Sequence, residues 1–129
     1  MWTEVALSPD PNRISIPRGA AFDVALLVRD ADGEPLDLTG HKLYFTVRHS
    51  EVEPVVVSKT TDDPLQVETA DQETNPGEAT IHVVSSDTSG LTPGSYLYDV
   101  WLELDAPGDD RRRVVATTVL VVESTVTTF

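Results

Sequence analysis

From Arg18 to the C-terminus the sequence repeats one short phrase: an alternating apolar run, a turn rich in Gly, Pro and Asp, then another alternating run. The clearest unit is Ala21-Phe-Asp-Val-Ala-Leu-Leu-Val-Arg29, Asp30-Ala-Asp-Gly33, Pro35-Leu-Asp-Leu-Thr-Gly40 and Leu43-Tyr-Phe-Thr-Val-Arg48. A period of two belongs to a strand with one buried face, and a helix cannot hold such a pattern on one side. The helical exception is Ser85-Ser-Asp-Thr-Ser-Gly-Leu91, which reads as a single turn capped by Ser or Asp. The expected fold is an all-β, two-sheet antiparallel sandwich of about eight strands.

The strands are expected over 13–16, 22–29, 41–49, 55–59, 65–68, 78–84, 95–104 and 111–123. Alternation points Phe22, Val24, Leu26 and Val28 inward, with Leu43, Phe45 and Val47. Ala79, Ile81 and Val83 share a face, as do Tyr96, Tyr98, Val100 and Leu102, and the 36–40 segment tucks Leu36 and Leu38 beneath the sandwich. Residues 1–12 form an N-terminal arm, 13–123 the sandwich, and 124–129 a C-terminal extension. Two prolines at Pro9 and Pro11 keep the arm from being a central strand and leave it an extended arm or edge segment.

A length of 129 residues suits one core. With no cysteine there is no disulfide and no thiolate site. Nine basic residues against 22 acidic ones give a net charge of -13. Phosphate contacts need basic surface, so nucleic-acid binding is excluded as an expectation, and attraction to anionic membranes with it. Only Lys42 and Lys59 are lysines. An acid-rich, lysine-poor surface suits work in high salt, where screening removes self-repulsion. A GC-rich genome favours the same residues, and a basic partner is a third explanation. The N-terminus has no basic and apolar leader pattern, so no secretory signal is expected.

Catalytic and metal signals are weak. His41, His49 and His82 lack metal-ligand spacing and read as surface imidazoles. Asp87-Thr-Ser-Gly-Leu91 has Asp and Leu where a nucleophile elbow needs glycine. Asp30, Asp32 and Asp37 carry no calcium-loop register and read as turn formers. No enzyme activity, cofactor or metal is expected. The interaction candidates are sharper. Trp101 alternates with Asp99 and Glu103, which exposes it as an interface anchor unless the core needs the indole and the inward face is the other one. Trp2, Val5 and Leu7 belong to an arm that docks on a neighbour. Arg111, Arg112 and Arg113 either pair across their hairpin or meet an acidic neighbour. Val119 and Val121 make the last strand apolar on both faces, and Phe129 closes the extension.

The motifs also come in a telling order. It runs Arg18-Gly19, Asp30 to Gly33, Pro35 to Gly40, Leu43 to Val47, Lys59 to Asp63, Gly77 to Ile81, Ser85 to Thr88 and Pro93 to Val100, with a closing strand after a charged hairpin. This order resembles the small Ig-like domains of tailed phages, notably the N-terminal domain of baseplate upper proteins. The resemblance implies an Ig-like sandwich acting as a non-enzymatic part of a virion. Such a part docks on other virion proteins, in several symmetric copies, at the tail or baseplate. Those baseplate proteins continue into a receptor-side region, whereas this sequence ends at Phe129, so a stand-alone module is expected. The alternatives are a capsid decoration protein, or a cellular surface or adhesion module binding calcium or carbohydrate.

Overall fold

A computed structural model describes residues 4–8 and 13–126, with side chains over 14–115 and 117–126. Nine strands appear: β1 (Glu4–Ser8), β2 (Arg13–Pro17), β3 (Phe22–Arg29), β4 (Lys42–Arg48), β5 (Val55–Thr60), β6 (Val67–Thr69), β7 (Glu78–Val83), β8 (Gly94–Leu104) and β9 (Asp110–Glu123). One short helix, α1 (Ser85–Ser89), joins β7 to β8. No helix among the described residues is long and apolar enough to cross a membrane.

Four strands form one sheet in the order β1-β3-β7-β6, and five form the other in the order β2-β9-β8-β4-β5. This is the order of an immunoglobulin-like sandwich, whose second sheet gains an extra strand at each edge, β2 and β5. The fold is therefore an Ig-like β-sandwich. The ninth strand is β1, an edge strand within the stretch read as an extended arm or edge segment: Glu4 to Ser8 pair with Arg29 to Ala25. All other pairs are antiparallel except β2 with β9, which runs parallel. Leu65 and Gln66, expected to begin a strand, lie in a turn in which Asp63 accepts their amides, so β6 starts only at Val67. At the other end β9 stops at Glu123, and 124–126 form no strand.

Most of the expected core residues are buried, while Phe22 and Leu36 are only partly so. Val24, Leu26, Val28, Leu43, Phe45, Val47, Ile81, Tyr98, Val100 and Leu102 all turn inward, and Leu38 closes one end. Full burial of each such side chain contributes roughly 1.5–3 kcal/mol. The chain has no cysteine to join its two sheets as antibody domains do. Tyr96 at the start of β8 donates its hydroxyl to the Thr92 carbonyl at 2.7 Å, the tyrosine corner of this fold. Two residues on, where antibody domains carry the second cysteine, stands Tyr98. Its ring packs on Phe45 of β4 with centroids 5.6 Å apart and planes tilted at 44°. α1 is capped from inside: the Asp87 carboxylate accepts the Val84 amide at 2.9 Å.

A polar residue fixes the end of the sandwich. In the 70–77 loop, Gln72 Oε1 accepts the amides of Leu38 and Gly77, each at 2.9 Å, while its Nε2 donates to the Ala70 carbonyl at 2.7 Å. One side chain thus ties the crossing segment to the loop. Gln72→Ala strands two partly buried donors, so stability falls by about 2 kcal/mol. Urea unfolding should show a lower midpoint at unchanged slope; a loss under about 0.5 kcal/mol would mean the loop does not depend on this amide.

Candidate interaction face

The outer face of the five-stranded sheet gathers most of the described candidates. Trp101 sits on β8 opposite Tyr44 of β4 on one side and Arg113 of β9 on the other. Its side chain is 38% exposed, so the alternation that buries Leu102 and Val100 holds, and the core does not take the indole. The indole is fixed in place: Nε1 donates to Asp99 at 3.1 Å. Tyr44 is fixed in the same way, its hydroxyl donating to Glu103. Lys42 lies over the Tyr44 ring, 4.9 Å from the centroid. Two aromatic anchors are therefore held by carboxylates on a rigid sheet, which lowers the entropy lost when a partner covers them.

Glu103 is the charged residue that builds this corner. It is only 3% exposed. Besides Tyr44 it accepts the Gly108 amide at 3.0 Å and Arg111 Nε at 3.1 Å. These three donors, with Tyr44 the strongest, hold its carboxyl down from 4.5 to about 2. Gly108 is required for the approach, because a Cβ there would run into the Leu104 carbonyl. The Tyr44 hydroxyl is correspondingly pushed up by its bond to Glu103.

The arginine triplet divides. Arg111 pairs with Glu103 across the hairpin, and Arg112 grips Asp110 with two bonds of 2.8 and 3.2 Å. Arg113 instead donates to Thr117 at 3.2 Å and is in no ion pair among the described residues. Nearby, Arg48 donates to the Glu53 carbonyl at 3.0 Å and is likewise outside every ion pair of the described residues. Both line an open hollow of about 450 Å³ on this face, together with Thr46, Leu97, Asp99 and Thr117.

The double apolarity of the last strand has a backbone cause. Between Tyr98 and Trp101, β8 advances three residues while β9 advances five, from Thr118 to Arg113. Two bulges absorb the difference, so the neighbours Val114 and Val115 are both buried, at 6% and 7% exposure. Val119 and Val121 remain half-buried on the outer face, alternating with buried Leu120 and Val122. Val5 and Leu7 have their backbone in the opposite sheet, opposite Val28 and Leu26, and so do not join this face. Trp2 and Phe129 lie outside the described residues.

Tyr44, Arg48 and Asp99 were not singled out from the sequence. The available signal was the outward parity of β4, where Tyr44, Thr46 and Arg48 contain no acid in a chain with 22. The histidines each have a local task. His41 accepts the Asp105 amide at 2.9 Å. His49 packs edge-on against Tyr96, with centroids 5.1 Å apart. On the other sheet, His82 bridges Asp23 at 2.9 Å and Glu68 at 3.1 Å. Its pKa is raised by those two bonds, Asp23 first. Asp30 accepts the amides of Asp32 and Glu34, and Asp37 that of Thr39, which is turn-forming work. No group of three or more His, Asp or Glu among the described residues is arranged to hold a metal ion.

No protein-family model matches the chain, and no curated protein sequence matches it. Solved structures share its chain path at low identity. Domains 4 and 5 of the S-layer protein SbsC align with 12% identity and a TM-score of 0.49, over 95% of this chain and 53% of that one. The chain thus spans about half the length of that structure. The Lin-41 filamin domain aligns with 13% identity and a TM-score of 0.48, over 93% of this chain and 94% of that one. Murine CRIg aligns with 10% identity and a TM-score of 0.44, over 95% and 98%. None of the three is a baseplate protein, and none bears on partners or activity here.

Two titrations follow. Glu103 ionises more readily folded, at about 2, than unfolded, at 4.5, so its stabilisation is complete above 4.5 and is lost as pH falls toward 2. Chemical denaturation at stepped pH should show the gap between wild type and Glu103→Gln closing over that window; a constant gap would contradict the carboxylate's role. His82 has the opposite sign: its contribution is complete below 6.5 and is lost as pH rises through its raised folded value. The stability gap between wild type and His82→Asn should therefore shrink from pH 6 toward alkaline pH, and a gap that grows would refute the bridge.

Proposed function

We propose that this chain is a non-enzymatic structural module that docks into a larger protein assembly through the outer face of its five-stranded sheet. The observation that carries the reading is Trp101, a 38% exposed indole locked by Asp99 in the row Tyr44–Trp101–Arg113. Trp, Tyr and Arg are the residues enriched where protein interfaces concentrate their energy. Sheet extension is the less favoured mode, because three of the four edges are blunted. β6 has three residues and β2 ends in Pro17. β5 carries a bulge at Val56 and turns Lys59 inward, onto Asp87 at 2.7 Å. Short strands, prolines, bulges and inward charges all oppose edge pairing.

The resemblance to tailed-phage Ig-like domains supports a virion as the assembly, at the tail or baseplate, with the capsid surface as the alternative. Other virion proteins, with symmetric copies of this chain among them, are then the partners. Electron microscopy of particles from the source, with this chain traced in the map, tests this. Density at the tail or baseplate with Trp101 against a neighbour supports the reading. Density on the shell moves it to capsid decoration. Absence from particles removes the virion, and Trp101 facing solvent in the assembled state removes the docking face.

A further inference from the structure

We propose that the occupant of this face is a second copy of the chain, in a two-fold pair that seats the Trp101 of each copy in the hollow of the other. The inference rests on the reading of the outer face as the docking surface. The face carries both halves of a self-complementary contact. The knob is Trp101, held upright by Asp99. The hole is the neighbouring hollow of about 450 Å³, with Arg48 and Arg113 in its lining. Those guanidiniums make no ion pair among the described residues, so they are available to an indole face, with which arginine stacks favourably. An isologous interface requires this arrangement, in which residue i meets j and j meets i.

Charge favours the same occupant. Two chains of net charge -13 repel at long range. On this face Glu103 is buried and bonded to Arg111, Glu123 stands at the far end of β9, and the hollow's lining sets Asp99 and Glu51 against Arg48 and Arg113. Two copies meeting here bring arginine toward aspartate rather than acid toward acid. Turning the opposite sheets together would instead confront Glu78 with its own copy, beside the Asp23 and Glu68 that His82 bridges. Pairing through the outer face is therefore the orientation that a highly acidic chain tolerates, and salt strengthens it by screening the remaining repulsion.

Sedimentation velocity of the full chain tests this at low salt and in about 1 M sodium chloride, where the screening length falls to about 3 Å. The expected result is a monomer at low salt and a concentration-dependent dimer at high salt. Trp101→Ser and Arg113→Glu should each weaken the dimer more than about tenfold. His82→Asn, on the other sheet, should leave it intact, and circular dichroism checks that each variant folds. A chain that stays monomeric in high salt at micromolar to millimolar concentration overturns the proposal, as does a dimer indifferent to both face variants. Incorporation of Trp101→Ser into the larger assembly separates the two claims. If the chain is monomeric but the variant fails to incorporate, the face docks on another protein and only the two-fold pair is lost. If the variant incorporates like wild type, the docking reading fails, and sedimentation alone decides the two-fold pair.

Discussion

The parity of β8 is the constraint on which the rest of the structure depends. Its inward residues, Tyr96, Tyr98, Val100 and Leu102, occupy the middle of the core. Because side chains alternate strictly, filling the core with these four commits Leu97, Asp99, Trp101 and Glu103 to the outer face. A slip of one residue would turn two carboxylates and an indole toward the apolar core and two tyrosines away from it, so the register is strongly specified. The tyrosine corner at Tyr96 and the Tyr98–Phe45 contact hold that register without a disulfide. Core and docking face are two readings of one strand.

The last strand accommodates this rather than sharing it. β9 needs two bulges to run beside the segment from Tyr98 to Trp101. Bulges redirect side chains, and here they bury Val114 and Val115 in sequence while leaving Arg113 beside Trp101. The buried Glu103 then fastens the tip of the hairpin by accepting from Tyr44, Gly108 and Arg111, which belong to β4, the turn and β9. Its carboxylate is buried but fully hydrogen-bonded, the condition under which a buried charge is tolerated. The aromatic row on the face inherits its rigidity from that corner.

Much of the sandwich was legible in the sequence because period-two burial is a local signal. The inward sets on β3, β4, β7 and β8 can be read residue by residue, and the exposure of Trp101 follows from the same count. What was not legible depends on pairing between distant segments. Gln72 reads as an ordinary loop residue, yet its partner Leu38 lies 34 positions away. The bulges of β9 are invisible because an extra residue has no composition, so both faces of that strand looked equally apolar. β1 reads as an arm or edge segment until its backbone is seen beside β3. For the candidate face, Trp101, Val119 and Val121 could be named, but Arg113 could not be told from Arg111 and Arg112. Only side-chain geometry shows that Arg111 pairs across the hairpin and Arg112 along its own strand.

The most direct test of the central claim is acrylamide quenching of Trp101 fluorescence in a Trp2→Phe background, in dilute protein at low salt. The account predicts red-shifted emission that acrylamide quenches readily, with quenching reduced under conditions where the face is covered. A blue-shifted, unquenched indole in the dilute chain would place Trp101 in the core, reverse the parity of β8 and contradict both the docking face and the packing derived from it.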